Sequence, residues 1–417
     1  MDDPVLAHVL TFLRETPDHK LKDVHLKGRH LGDDGVQILV DALINGHSSK
    51  VQTLNLISNR VSAAGALSLS NILRSTHVPS LTKLQLQQNH IGPRGAVFLA
   101  DALKDEQCNL RHLHLKGCGV GVRGATALAE GLASPQCKLQ DLRLELNNIG
   151  DEGTRDIAQA LCANKNGQLY NLELKGNGIG PKGAIDIAEK CLQSNNTPLE
   201  SLGLSDNSIG ESGFAAIASA LQSNSNLNWL FVSSKLEKMS QHSISLLIGA
   251  LYDDVDPNSV CNGSNHALKE VYGIPSDAPN QRLRRLLRYN KLGPFKARRE
   301  KIHLFLSEHS NCIQSSVVHL SLVPKFLSVV GRKSYGSLDS LFNHIRENPN
   351  IFSEENRDGG TSREITGKSC VSKRSWRRGL TKSKADRANC FEELDAALRS
   401  NHRDRQSTDI PFKRKSK

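Results

Sequence analysis

The chain has 417 residues and a formal net charge of +11, but the charge is local. Residues 281–306 and 355–417 each carry a balance of +8, which leaves −5 for everything else. That distribution excludes reading the whole chain as a nucleic-acid binder from its charge, and with no run of about 18 apolar residues nothing is expected to span a membrane.

Residues 1–20 are expected to supply a capping helix. The segment PVLAHVLTFL opens with Pro4 at the first helical position, where no N–H is needed, and Asp3 stands at the cap. Such a helix would cover the open end of a repeat stack, whose terminal units need capping.

From residue 21 to 251 the chain repeats itself. Leu21, Val51, Leu81, Leu110, Leu139, Leu169, Leu199 and Leu227 recur at steps of 30, 30, 29, 29, 30, 30 and 28 residues. A fixed period of this length is the mark of a solenoid. Seven units are clear and the eighth is degenerate, having lost the glycines of its turn. Each unit opens with period-two alternation, the mark of a strand. Its inward positions are Val24 and Leu26, Leu54 and Leu56, Leu84 and Leu86, and so on through Leu202 and Leu204. Five units carry asparagine at position nine (Asn59, Asn89, Asn147, Asn177, Asn207), where a buried amide would bond the turn backbones of its own and the next repeat. Arg29 interrupts that ladder in the first unit and Cys118 in the fourth. Glycine stands at position fifteen in all seven clear units, from Gly35 to Gly213, and either a positive φ or a close backbone approach accounts for it. An alanine-rich helix follows in each unit.

This pattern, LxxLxLxxN-x-(I/V)-G-x-x-G-A, resembles the ribonuclease-inhibitor-like class of leucine-rich repeats, which includes ribonuclease inhibitors, the sensor regions of NOD-like receptors and the activators of Ran-type GTPases. The resemblance covers residues 21–251 and implies an α/β horseshoe with a concave parallel sheet and outer helices. It also implies a binding protein, not an enzyme, and no cofactor. The 417 residues show no nucleotide-binding switch domain, death-fold domain or kinase.

Residues 252–354 are expected to form a small helical module behind the solenoid, with one last strand within 267–274 and helices at 280–289, 294–307, 313–331 and 337–348. Residues 355–417 are rich in Ser, Arg, Lys and Asp, too poor in apolar residues to repay ordering, and are expected to be a disordered basic tail. Nine cysteines, an odd number, and no basic-then-apolar N-terminus point to reduced thiols in a cytoplasmic protein; basic clusters in the tail, such as residues 413–417, leave a nuclear address open.

Several stretches imitate chemistry. Gly178–Gly183 and Gly119–Gly124 both read G-x-G-x-x-G after a strand and before a helix. Every unit already holds G-x-x-G for its turn, so one further glycine completes the motif without a nucleotide fold. His112, His114 and Cys118 have zinc-ligand identities. The histidines, however, project from the concave face while Cys118 takes the inward asparagine position; the pair is expected to be two exposed surface histidines.

The informative residues are those the repeat does not need. On the middle strands they are His112, His114 and Lys116, then Asp141, Arg143 and Glu145, then Glu173 and Lys175. Large charged residues of both signs suit a protein partner better than a phosphate backbone. Trp229 and Phe231 are adjacent outward aromatics in a chain with few. They are either a binding hot spot or the seat on which the C-terminal module folds. The reading is a non-enzymatic scaffold holding an unidentified protein on its concave face. A small-GTPase regulator is the first alternative, although the tail is basic where the Ran-type activators have an acidic one. The second is nucleic-acid or anionic-membrane association confined to 281–306 and 355–417.

Overall fold

In the computed structural model the described residues are 4–15, 21–46, 50–164, 167–193, 197–232, 240–253, 264–272 and 281–308. The chain divides into two compact units, residues 1–310 and 311–417. The second unit, and with it the expected helices at 313–331 and 337–348 and the tail, lies outside the described residues.

After helix α1 (Pro4–Glu15), strand and helix alternate in chain order. The pairs are β1 (Asp23–His25) and α2 (Gly32–Asn45), β2 (Thr53–Asn55) and α3 (Ala63–Leu73), β3 (Lys83–Gln85) and α4 (Gly92–Leu103). Then come β4 (His112–His114) and α5 (Gly121–Ala133), β5 (Asp141–Arg143) and α6 (Gly150–Ala163), β6 (Asn171–Glu173) and α7 (Pro181–Ile187), which runs on into a π-helical turn, Ala188–Leu192. The last are β7 (Ser201–Gly203) and α8 (Gly210–Ser223), β8 (Trp229–Phe231) and α9 (Gln241–Leu251), and β9 (Glu270–Tyr272), α10 (Gln281–Lys291) and α11 (Pro294–Glu308).

All nine strands form one parallel sheet in sequence order. Each is three residues long, and its central residue is buried: Leu54, Leu84, Leu113, Leu142, Leu172, Leu202 and Leu230 pair in register as one continuous ladder, each no more than 1% exposed. Burying a leucine fully stabilises by about 2 kcal/mol, so the ladder alone sets the register. Strands stack about 4.8 Å apart and helices about 10 Å. The helices therefore take the outside of a curve and the sheet its concave side. β9 extends the sheet past the eighth unit, inside the segment assigned to a separate C-terminal module. Leu283, Leu286 and Leu287 of α10 are buried, as the helix of a further repeat would have them.

The buried asparagines bond backward along the stack. Asn89 Nδ2 donates to Leu86 O of its own turn and to Leu56 O of the preceding one, both at 2.8 Å, while its Oδ1 accepts from Asn59 N and Val61 N at 2.9 Å. Its partners are thus its own and the previous repeat, not the next, which corrects the expected direction. The position-fifteen glycines are explained by close approach and not by φ. A Cβ on Gly124 would sit 2.9 Å from Ala96 Cβ, and one on Gly153 2.9 Å from Ala125 Cβ. Glycines with positive φ stand three positions earlier instead, as at Gly92, Gly121, Gly150 and Gly210.

The G-x-G-x-x-G stretch at 178–183 follows the same logic. Gly180 N and Gly183 N both donate to Asp151 Oδ1 of the preceding helix, at 2.7 and 2.9 Å. A carboxylate already occupies this helix N-terminus.

Candidate functional site: the centre of the concave face

Side chains flanking the buried leucines of β3–β6 project onto the concave face, and in-register pairing brings them together. Asp141 is their hub. It is 5% exposed and takes contacts from three strands. His114 Nε2 lies 3.0 Å from Asp141 Oδ2, Asn171 Nδ2 donates to Oδ1 at 2.6 Å, and Arg143 Nε lies 3.3 Å from both oxygens. His112 Nδ1 stands further off, 3.7 Å from Oδ2. Burial would raise the Asp141 pKa, but the hydrogen bonds from His114 and Asn171 and the charge of Arg143 outweigh it and hold the carboxyl well below the usual range. Burial lowers the pKa of His112 in spite of the nearby Asp141.

The hub orients what surrounds it. A carboxylate only accepts, so His114 Nε2 is the donor in this contact. The Gln87 side-chain amide lies 3.4 Å from the other ring nitrogen, Nδ1. By the same logic the Asn171 amide nitrogen faces Asp141, which turns its Oδ1 away. Gln87 Oε1, Asn171 Oδ1 and Glu145 Oε2 are enclosed and without a hydrogen-bond partner.

Two carboxylates share this floor and, among the described residues, neither forms an ion pair of its own. Glu173 lies beside Arg143 in register on one side and beside Gly203 on the other. A Cβ at Gly203 would fall 1.8 Å from Glu173 Oε2, so the absent side chain makes the seat for that carboxylate. Burial pushes the Glu173 pKa up to about 7, helped by the like charge of Glu145 and opposed by Arg143. The nearby cations are engaged elsewhere: Arg143 with Asp141, and Lys175 Nζ with Asp206 Oδ2 at 3.0 Å. Lys116 occupies the register position next to Glu145 and, among the described residues, forms no ion pair with it.

The residues singled out from sequence thus fall into a centre and an edge. His112, His114, Lys116, Asp141, Arg143, Glu145, Glu173 and Lys175 all belong to the centre. His114 is not an exposed surface histidine: it is 4% exposed, enclosed between β3 and β5 because Gln87 and Asp141 close on either side of it. His112 is half-buried. Cys118 faces away from both, its Sγ 3.0 Å from Leu86 O. Among the described residues no three His, Cys, Asp or Glu side chains converge in a metal-holding group. Gln87 and Asn171 were not singled out; neutral amides carry no charge signal, and only the register reveals them.

Trp229 and Phe231 form the edge, on β8. Both are half-buried. Neither alternative drawn from sequence describes their contacts fully. Phe231 stacks on Tyr272 of β9, ring centroids 4.2 Å apart and planes 2° from parallel, and Lys269 Nζ lies 5.5 Å over the Trp229 ring. The contact is lateral, made along the sheet between neighbouring strands, and Tyr272 remains 43% exposed. Away from the sheet, α10 turns Arg282, Arg284, Arg285 and Arg288 outward beside Tyr289.

Comparison with known proteins supports the architecture. A family model described as Leucine Rich repeat matches residues 77–100, 106–129, 136–158, 171–188 and 195–218. These five segments are leucine-rich repeats. The ribonuclease inhibitor of Sus scrofa is 35% identical over 107 residues, 26% of this chain and 22% of that one. The NACHT, LRR and PYD domains-containing protein 2 of Homo sapiens is 37% identical over 113 residues, 27% of this chain and 10% of that protein. The ribonuclease inhibitor of Mus musculus is 35% identical over 98 residues. The chain therefore spans about a fifth or less of the curated relatives it matches, and the likeness concerns the repeats.

Proposed function

We propose that this leucine-rich-repeat chain is a non-enzymatic scaffold that binds another protein on the concave face of its sheet. The observation that carries the proposal is the division of labour within each repeat. Leucine, asparagine and glycine are spent on the stack, while the outward residues of β4–β6 and β8–β9 differ from strand to strand and gather charged and aromatic groups. The Asp141 hub holds the central ones in fixed positions, and a pre-organised polar surface lowers the cost of binding. The aromatic group of Trp229, Phe231 and Tyr272 lies on the same face and has the composition of a hot spot. Two relatives are named as ribonuclease inhibitors, and such a name describes action on a protein.

Among the described residues five cysteines are free, four of them buried, which suits a reducing compartment, and we place the protein in the cytoplasm. Among the described residues no helix is long and apolar enough to cross a membrane.

The test is affinity capture from the cells that make the protein, comparing wild type with a variant carrying Arg143→Glu, Lys175→Glu and Trp229→Ala. These side chains are partly exposed, so the fold should survive, as circular dichroism would verify. Recovery of a specific partner is expected to fall at least tenfold. Undiminished recovery by a folded variant would remove the concave face from consideration.

A further inference from the structure

Helix α10 is divided lengthwise. Leu283, Leu286, Leu287 and Asn290 are buried beside α9, while Arg282, Arg284, Arg285 and Arg288 are exposed. The 3.6-residue period puts all four arginines and Tyr289 on the side opposite the leucines. The helix, QRLRRLLRYNK, carries no acidic residue. With Gln281, Tyr289 and Leu304 the arginines line a cleft of about 640 Å³. Aromatic rings set two of the guanidinium groups in place. Arg282 Cζ lies 5.4 Å over the Tyr252 ring and Arg285 Cζ 5.7 Å over that of Tyr289. Arg285 Nε also donates to Tyr289 Oη at 2.6 Å, which leaves the four N–H groups of its terminal nitrogens for an incoming acceptor. The Arg288 side chain has no hydrogen bond or ion pair among the described residues, whereas Lys291 on the same helix pairs with Glu270 at 2.7 Å.

We propose that this face binds the phosphate backbone of a nucleic acid strand, as a second binding surface apart from the concave sheet. A phosphate diester offers two charged oxygens, which the fork of a guanidinium matches with two parallel N–H bonds. Arg284 and Arg288 stand one helical turn apart, about 5–6 Å between their Cβ atoms, so neighbouring guanidinium groups can take successive phosphates along a strand. The rings of Tyr252 and Tyr289 are already covered by arginines and offer no platform for a base. Contact is therefore with the backbone and independent of sequence. An anionic bilayer fits less well. An interfacial helix sinks its apolar face among the headgroups, and here Leu283, Leu286 and Leu287 are already buried in the protein. An acidic peptide also fits less well, because a docked peptide needs apolar anchor points. Among the described residues of the cleft the aliphatic one, Leu304, is 3% exposed, and the exposed Leu292 just past α10 does not line it.

The experiment uses the full chain and follows the fluorescence anisotropy of a labelled oligouridylate of about twenty nucleotides, with a mixed-sequence RNA of equal length as a second probe. The two RNAs should bind within twofold of each other, and affinity should fall steeply with added salt. Arg284→Gln/Arg285→Gln/Arg288→Gln should weaken binding at least tenfold. It should also reduce the slope of log affinity against log salt by about 2, from roughly 0.7 for each single-strand phosphate no longer neutralised. Arg288→Glu is a second variant, whose side chain makes no contact that the fold could lose; binding should weaken at least threefold. A control removes the same charge elsewhere: Lys413→Gln/Arg414→Gln/Lys415→Gln should change affinity less than twofold. Full binding by the α10 variants, or an equal loss in the control, would overturn the assignment. Phosphatidylserine vesicles or poly-glutamate that displace the RNA at an equal or lower concentration of negative charge would overturn it too, giving the face to a membrane or to an acidic protein.

Discussion

His114 and Asp141 stand on neighbouring strands with Nε2 and Oδ2 3.0 Å apart, and both are about 95% buried. On a face that is elsewhere solvated, this pair is the structural centre of the candidate site. It fixes the ring of His114 against β5, while Asn171 is held by the other oxygen of the same carboxylate. Replacing Asp141 by Ala should leave His114 and Asn171 buried without their partner and cost roughly 2–3 kcal/mol; Asp141→Asn, which keeps one acceptor, should cost about half as much. Urea unfolding measures both. The Asp141 pKa is depressed, so its contribution is present above the ordinary value of 3.8 and is lost as the pH falls below it. An Asp141→Ala variant as stable as wild type at pH 7 would mean that the hub organises nothing.

Glu173 behaves in the opposite sense. Its folded pKa is raised from 4.5 to about 7, so the folded state holds this proton more tightly than the unfolded chain does. The associated stability is complete below about pH 4.5 and is lost as the pH rises through 7. Glu173→Gln removes that dependence. The variant should be more stable than wild type at pH 8, by on the order of 1–2 kcal/mol, and the two should converge near pH 5. Thermal melts across this range would show it, and a constant difference at all pH values would contradict it.

Cys118 keeps only part of the asparagine position. Its Sγ donates to Leu86 O, but it has no amide oxygen to accept from the preceding turn, where Asn59 and Val61 find Asn89 Oδ1. Cys118→Asn should restore those acceptors for the backbone of residues 89 and 91 and stabilise the stack by about 1 kcal/mol. Burial pushes the Cys118 thiol up to about 12, so it should also resist alkylation at pH 8 until the protein unfolds.

Lys301 on α11 is fully buried, its Nζ 2.5 Å from Asn265 O and 3.3 Å from His266 Nδ1. Burial, with the charge of Arg298, lowers its pKa from 10.5 to about 7. The unfolded chain therefore binds this proton first, and stability declines as the pH falls from about 10.5 toward 7. Asn265 O also accepts from Asn290 Nδ2 at 3.2 Å, so it stays satisfied without the lysine. Lys301→Met should raise stability at pH 7 by about 1 kcal/mol or more. A loss on that substitution would show that the ammonium is needed to hold α11 against residues 265 and 266.

The linear chain determined the architecture because its determinants are periodic. A leucine at every fourth and sixth position, an asparagine at the ninth and a glycine at the fifteenth repeat at a spacing that only a stacked strand-turn-helix unit accommodates. The same periodicity exposed the false nucleotide and zinc motifs and marked out the residues left free for binding. It could not foretell what those residues do to one another. Gln87, His114, Asp141 and Asn171 are separated by 27 to 30 residues from one to the next and meet only because the leucine ladder brings β3–β6 into register. Burial of His114, the pairing of Arg143 with Asp141 and of Lys175 with Asp206, and the stacking of Phe231 on Tyr272 depend on distances of a few ångströms between strands. Those distances exist only in the tertiary structure, and with them the difference between a row of exposed charges and a site.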